Sequence, residues 1–280
     1  MNPRVSALVS YPIKGCAGTP TEVATVTPTG LRHDRSWMVV DADGVFRSQR
    51  NEPRLAVVRP SVLDGQLRLT APGIEDLVVD VVPDGPRRPV RVHIWDGVGV
   101  DQGDAAAEWF SEVLGEPSRL VGLPPEHTRP SSGEHAGLVG FADAHALLVT
   151  SLASLDGLNE RILARGAEPV PMDRFRPNIV ISGWPEPHTE DLVRRMAIGD
   201  AEFGYAKPCV RCAVPMVDQD TGKRAGPEPI RSLAQYRRDP GGGVTFGMKA
   251  VVLRPGSVAV GDEVLVERWS ELASCAAEPA

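Results

Sequence analysis

The first hundred residues of this 280-residue chain constrain its fold most, because short aliphatic and β-branched runs are broken every few positions by Gly, Pro, Asp or Asn. The run Trp37-Met38-Val39-Val40 leads into the turn Asp41-Ala42-Asp43-Gly44, and further strands are expected at 55–58, 66–69, 77–82 and 90–94. A helix then follows over Asp104–Leu114, with Asp104 suited to the N-cap and Gly115 to the C′ position. Its Trp109-Phe110 pair reads as core packing. Residues 122–135 have turn and linker composition, marking a domain boundary and a mobile rim. Beyond them come an apolar strand at 146–150 and a helix starting near Ser151 or Ser154. That helix carries Leu155, Leu158, Ile162 and Leu163 on one stripe and stops at Gly166. Strands resume at 178–182, 250–253 and 263–267, the last preceded by the hairpin signal Val260-Gly261-Asp262-Glu263. The pattern predicts an α+β chain that is mainly β, with peripheral helices.

Composition narrows the partners. With 37 acidic against 30 basic residues the net charge is −7, which argues against a general nucleic-acid binder or a binder of anionic membranes. Any anion site must therefore be local. Only four of the basic residues are lysines, against 26 arginines, and both Lys14 and Lys207 fall inside polar motifs. No run approaches the ~20 apolar residues of a membrane span. Met1-Asn2-Pro3-Arg4 leads straight into an apolar strand at 5–9, so neither leader nor anchor is expected. Four scattered cysteines make no disulfide framework, and a reducing cytoplasm is the expected compartment. Residues 269–280 are expected to be a disordered tail.

Chemistry concentrates in two clusters. Lys207-Pro208-Cys209-Val210-Arg211-Cys212 holds a C-x-x-C pair, which can be half of a zinc site or a redox pair. Zinc needs two more ligands at matching spacing, yet Cys16 and Cys275 are remote and no suitable His pair exists. A redox pair usually opens a helix, whereas Ala213-Val214-Pro215-Met216-Val217 reads as extended chain broken by proline. One working thiolate, favoured by Lys207 and Arg211, is the reading the residues prefer. The second cluster is Arg174-Phe175-Arg176-Pro177-Asn178. Guanidinium forks bind phosphate bidentately, and Pro177 biases Arg176 toward extended backbone, which places Arg174 and Arg176 on one side with Asn178.

The stretch Arg211-Cys212-Ala213-Val214-Pro215-Met216-Val217-Asp218-Gln219-Asp220-Thr221-Gly222, preceded by Phe175-Arg176-Pro177-Asn178-Ile179-Val180-Ile181-Ser182-Gly183, resembles the MOSC domain, named after the C-terminal part of molybdenum cofactor sulfurase. Tyr11-Pro12-Ile13-Lys14-Gly15-Cys16 and Gly30-Leu31-Arg32-His33-Asp34-Arg35-Ser36-Trp37-Met38-Val39-Val40 resemble the β-rich domain that accompanies it. Both halves are joined in the mitochondrial amidoxime-reducing component and its bacterial counterparts. The resemblance implies a MOSC N-terminal β-rich domain over 1–122 and a closed MOSC β-barrel over 123–268. It implies a molybdenum cofactor (Mo-molybdopterin) with Cys212 as metal ligand and catalytic residue. Arg176 and Asn178 would contact the cofactor, Arg174 either sharing that charge or being solvated, and Lys14 and Arg35 would reach it from the other domain. Gly15 stands where the mitochondrial proteins carry serine, so a hydroxyl contact is lost while the backbone amide remains. Asp143 matches an aspartate near the metal that would relay protons, with His145 a further proton donor. The cluster Asp218, Asp220, Thr221, Gly222 reads as a turn.

The activity implied is reduction of N-hydroxylated compounds such as amidoximes, hydroxylamines or N-hydroxylated bases, the metal cycling between Mo(VI) and Mo(IV). Gly241-Gly242-Gly243 lacks the setting of a dinucleotide fingerprint, so electrons are expected from a separate ferredoxin-like or haem carrier with its reductase. The alternative is a binding module that carries the molybdenum cofactor, or passes sulfur to it, without turnover.

Overall fold

The computed structural model describes residues 2–271; Cys275 and the tail beyond 271 lie outside them. The largest element is an eight-stranded sheet in the order Val264–Trp269, Val193–Ile198, Ala201–Arg211, Val244–Arg254, Leu147–Ser151, Ile179–Ser182, Arg4–Ser10, Thr19–Thr21. Its one parallel pair joins Leu147–Ser151 to Ile179–Ser182, and helix α2 (Leu152–Leu163) lies in that crossover. Ser151 caps α2, its Oγ accepting from the Ser154 amide at 3.1 Å. One face of the sheet buries Val5, Leu8, Val149, Ile179, Ile181, Met196, Phe203 and Met248. The two longest strands, Ala201–Arg211 and Val244–Arg254, pair with three register shifts, which add local bend and twist.

The second layer is a five-stranded sheet, Arg87–Val92, Trp95–Asp101, Arg119–Gly122, Trp37–Val40 and Ile13–Lys14, beside a three-stranded sheet of Arg59–Leu63, Gln66–Ala71 and Ile74–Asp80. Helix α1 (Asp104–Leu114) seals this core with Trp109 and Phe110, packed edge to face at 5.1 Å. A third helix, α3 (Ile230–Tyr236), packs Leu233 against Phe175 and Phe246.

Several expectations are corrected. The barrel does not close among the described residues: the ladder has two edges, Val264–Trp269 and Thr19–Thr21. The sheet curls far enough for an isolated bridge between Arg4 and Glu263. It goes no further because residues 8–10 of the first strand are already paired to Thr19–Thr21 on that flank. Nor do the sheets divide at residue 122, since Arg4–Ser10 and Thr19–Thr21 belong to the large sheet and Val23–Thr27 pairs with Gly256–Ala259. Residues 55–58 form no strand. Pro53, with its fixed φ, opens a 3-10 turn over Pro53–Val57 that drops Leu55 and Ala56 into the core. Gly103, not Asp104, occupies the cap position of α1, and the Asp104 carboxylate instead pairs with Arg119 at 2.7 Å. On α2, Leu163 falls off the buried stripe and is 56% exposed. Residues 214–216 form a 3-10 turn rather than extended chain.

Residues 122–135 are pinned rather than loose, because Arg129, buried among them, donates to the carbonyls of Gly140, Ala142 and Asp143 at 2.8–3.2 Å.

Candidate cofactor cleft and active site

The two layers meet along a cleft enclosing about 900 Å³ including its open mouth, lined from both by Lys14, Gly15, Arg35, Asp143, Arg176, Asn178 and Cys212. Ser48, Gln49, Arg50, His145, Arg211 and Lys249 complete much of the wall. Apart from Arg174, every site residue expected from sequence is brought together here.

The C-x-x-C pair is split by position and exposure. Strand Ala201–Arg211 ends between the two cysteines. Cys209 is buried, and Arg211 donates to its Sγ at 2.9 Å while a second guanidinium nitrogen donates to the Phe175 carbonyl at 2.9 Å. Cys212, past the strand end, is exposed and faces the cleft as a free thiol. Among the described residues no three His, Cys, Asp or Glu side chains converge as metal ligands, so no protein-built zinc site forms around the pair. A metal held here would take one thiolate from the protein.

Arg176 is not extended. It follows the 3-10 turn Met172–Phe175 and sits in the left-handed region, φ 58° and ψ 48°, closing that turn by donating its amide to the Asp173 carbonyl. The expected strand geometry therefore fails, and the two arginines part. Arg174 turns away from the cleft, its Nε donating to the Pro215 carbonyl at 2.7 Å with Asp218 3.9 Å off. Arg176 enters the cleft wall, 8% exposed, stacked over Tyr11 at 4.2 Å and donating through Nη1 to Gln219 at 3.3 Å. Its Nη2 is buried without a partner among the described residues. Burial pushes the guanidinium pKa down to about 10, so it remains charged at neutral pH. A buried cation with an unused donor is costly unless something anionic completes it.

Asn178 lines the cleft, yet its hydrogen bonds run inward. Its Nδ2 donates to Val9 O and Asp34 Oδ1, and its Oδ1 accepts from Arg35 and the Leu148 amide, all at 2.8–3.1 Å. Asp34 also accepts from Arg35 and from the Tyr11 amide. These contacts lock Arg35 across the domain junction, its guanidinium 4.4 Å above Tyr11.

Lys14, 6% exposed, is ion-paired with Asp143 and lies 4.9 Å over the Phe46 ring. Burial lowers its pKa, and Asp143 partly restores it. The half-exposed Asp143 also meets His93 at 3.3 Å and Arg50 at 3.7 Å. Burial pushes its carboxyl up, but Lys14 first and His93 next more than offset this, and it is held well below the usual range. Gly15 has φ +85°, a conformation that disfavours a side chain, and a Cβ there would meet Leu55 at 3.1 Å. Its carbonyl accepts from Gln49, which pairs reciprocally with Gln219 of the opposite layer at 2.9–3.0 Å. His145 is buried, Nε2 bonded to the Ser132 carbonyl, its pKa pushed to about 4 chiefly by burial. It is therefore neutral at pH 7. Asp218 does form a turn, accepting from the Thr221 amide and hydroxyl at 2.8 Å.

Gln49 and Arg50, which line the cleft, and His93 and Gln219, which contact Asp143 and Arg176 there, carried no spacing signal, because they come from loops and one hairpin tip.

The cleft between the two β layers thus combines one open thiol with several cations, Lys14 and Arg176 buried among them, in an acidic protein. The MOSC N-terminal beta barrel domain matches residues 2–117 and the MOSC domain residues 136–265. Mitochondrial amidoxime-reducing component 1 of Mus musculus is 37% identical over 93% of this chain and 81% of its own, and the Homo sapiens protein of that name is 34% identical over 93% and 82%. The molybdenum cofactor sulfurase of Danio rerio is 33% identical over 86% of this chain and 31% of its own length. The chain belongs to the MOSC family of amidoxime-reducing components.

Proposed function

We propose that this protein binds a molybdenum cofactor between its two layers and reduces N-hydroxylated compounds with electrons from a separate carrier protein. The observation that carries the reading is the pairing, in one cleft, of the open Cys212 thiol with the buried, half-unpartnered Arg176. The site fits the group: a thiolate is a soft donor, and the unused Nη2 of Arg176 awaits an anion. Cys212 would hold the metal, with Arg176, Arg35, Lys14 and the Gly15 backbone toward the organic part. The cofactor, when bound, supplies the two-electron redox chemistry.

The chain's own residues position and protonate. Cleaving R–NH–OH to R–NH2 consumes two electrons and two protons and releases water. Asp143, held firmly anionic beside Lys14 and His93, is a poor proton carrier itself; it keeps a proton on Lys14 Nζ, whose pKa burial lowers, and Lys14 is the better donor of the pair. His145, neutral with Nε2–H committed to Ser132, fits orientation better than proton delivery. Arg129 fixes the Asp143 backbone so that the carboxylate stays at the mouth.

The test is turnover of an aryl amidoxime with a chemical reductant, alongside metal analysis of the purified protein. Turnover with molybdenum bound is expected, lost in Cys212→Ala and retained in Cys209→Ala. A protein that binds cofactor but reduces nothing would be a carrier instead. An inactive Cys209→Ala beside an active Cys212→Ala would reverse the ligand assignment.

A further inference from the structure

Lys207 and Lys249 stand directly opposite one another on antiparallel neighbours Ala201–Arg211 and Val244–Arg254, and they are two of only four lysines in the chain. Directly opposed residues share a face of the sheet, and like charges so placed destabilise it. That face is the cleft: Lys249 lines it, as does Leu148, its partner on the other side. Neither ammonium has a hydrogen bond or ion pair among the described residues, in a protein with 37 carboxylates to offer.

The remaining cations of the cleft are engaged except Arg176, whose Nη2 has no partner among the described residues. Lys14 is held by Asp143, Arg35 by Asp34 and Asn178, and Arg211 by Cys209 and the Phe175 carbonyl, while Arg50 lies 3.7 Å from Asp143. His145, more than nine-tenths buried in the same wall, keeps Nδ1 unpartnered and lies close enough to both lysines to feel their charge. Lys249 in the cleft wall and the exposed Lys207 paired beside it thus present two ammonium groups without partners among the described residues. Lys207 precedes Cys212 by five residues, about 16 Å of extended strand, so an oxyanion met by the lysine tips would lie about 10 Å from the thiol.

We propose that Lys207 and Lys249 form an oxyanion subsite that selects substrates carrying a carboxylate or phosphate about 10 Å from the group reduced. This rests on the reductase reading above and names its substrate class. A neutral substrate would use the same metal end of the cleft without filling the lysine end.

The test uses the cofactor-loaded protein and three aryl amidoximes that differ only at the end of a para propyl chain: carboxylate, phosphonate and carboxamide. Equilibrium binding and turnover are measured for wild type and for the double variant Lys207→Gln/Lys249→Gln, with molybdenum content determined in each. Wild type is expected to bind at least one oxyanion about tenfold tighter than the carboxamide, and the double variant to lose that preference at equal molybdenum content. Equal binding of all three compounds by wild type overturns the subsite. So does a fall in molybdenum content in the variant, which would give the lysines to the cofactor's own phosphate. Preferential binding with no turnover would sink the reductase reading and leave the subsite standing, whereas turnover without preference would do the reverse.

Discussion

At the scale of single residues, Arg174 and Arg176 show how little spacing says about direction. Two positions apart, they would share a face of a strand, but the left-handed backbone at Arg176 sends one guanidinium into the cleft and the other to Pro215. A non-glycine residue held there costs on the order of 1–3 kcal/mol, and such strain collects at working sites. If Arg176 serves an anion, Arg176→Ala should lower molybdenum content roughly ten-fold to a hundred-fold, since a charge-assisted bond to a buried anion is worth roughly 1.5–3 kcal/mol. Arg176→Lys should restore only part, keeping the charge without the planar fork. Arg68→Ala, which removes an exposed pair with Asp76, should leave the content unchanged. Equal content in all four proteins would return Arg176 to a purely structural role. Asn178 carries a related lesson. Its type and position were legible, but not that Val9, Asp34, Arg35 and Leu148 would use both ends of its amide.

At the scale of elements, strands and helices with strong periodicity appear where the pattern places them, as α1 and the Ser151-capped α2 show. The strand expected at 55–58 failed where a proline decided the outcome, opening the 3-10 turn at Pro53, and α3, only seven residues long, gave no pattern to read. The N-terminus of α2 also holds a group the pattern hides. Glu190, fully buried, accepts from the Ser151 and Ser154 hydroxyls at 2.7–2.9 Å and has no cation against it among the described residues. Burial, with Asp191 adding, pushes its pKa up to about 7. An acid whose folded pKa is raised contributes stability below its unfolded value and loses it as pH rises through the folded one. From pH ~4.5 to 7 this amounts to about 3 kcal/mol against the folded state, at ~1.4 kcal/mol per unit. Glu190→Gln should therefore raise the denaturation midpoint at pH 8 and flatten its dependence on pH between 5 and 8. Parallel pH profiles for the two proteins would show that Glu190 does not titrate in that range.

At the scale of the whole molecule, the sheet that carries Cys212 is completed by the start of the chain. Arg4–Ser10 pairs with Ile179–Ser182, and Val5 and Leu8 enter its core. Lys14, Arg35 and Gln49 then cross to meet Asp143, Asn178 and Gln219. Residues 140–280 alone should lack an edge strand and half the cleft, giving an aggregating or molten product without cofactor by gel filtration and near-ultraviolet circular dichroism. A monomeric, cooperatively folding fragment that retains molybdenum would show the interlayer contacts to be dispensable.

The sequence by itself determined the mainly β character, the helices at 104–114 and 152–163, the cysteine that ends exposed, and the cationic identity of the cleft. The elements follow from local periodicity, which neighbours along the chain suffice to express, while Cys212 rather than Cys209, and Lys14 and Arg35 as partners of Arg176, were implied by the family resemblance. Only the tertiary structure decided that the large sheet keeps two edges, that Arg174 leaves the site, that Asn178 is consumed inside, and that Gln49, Arg50, His93 and Gln219 join it. Each of these depends on which distant segment supplies a hydrogen bond or a charge at a given point, and one-dimensional spacing does not contain that information.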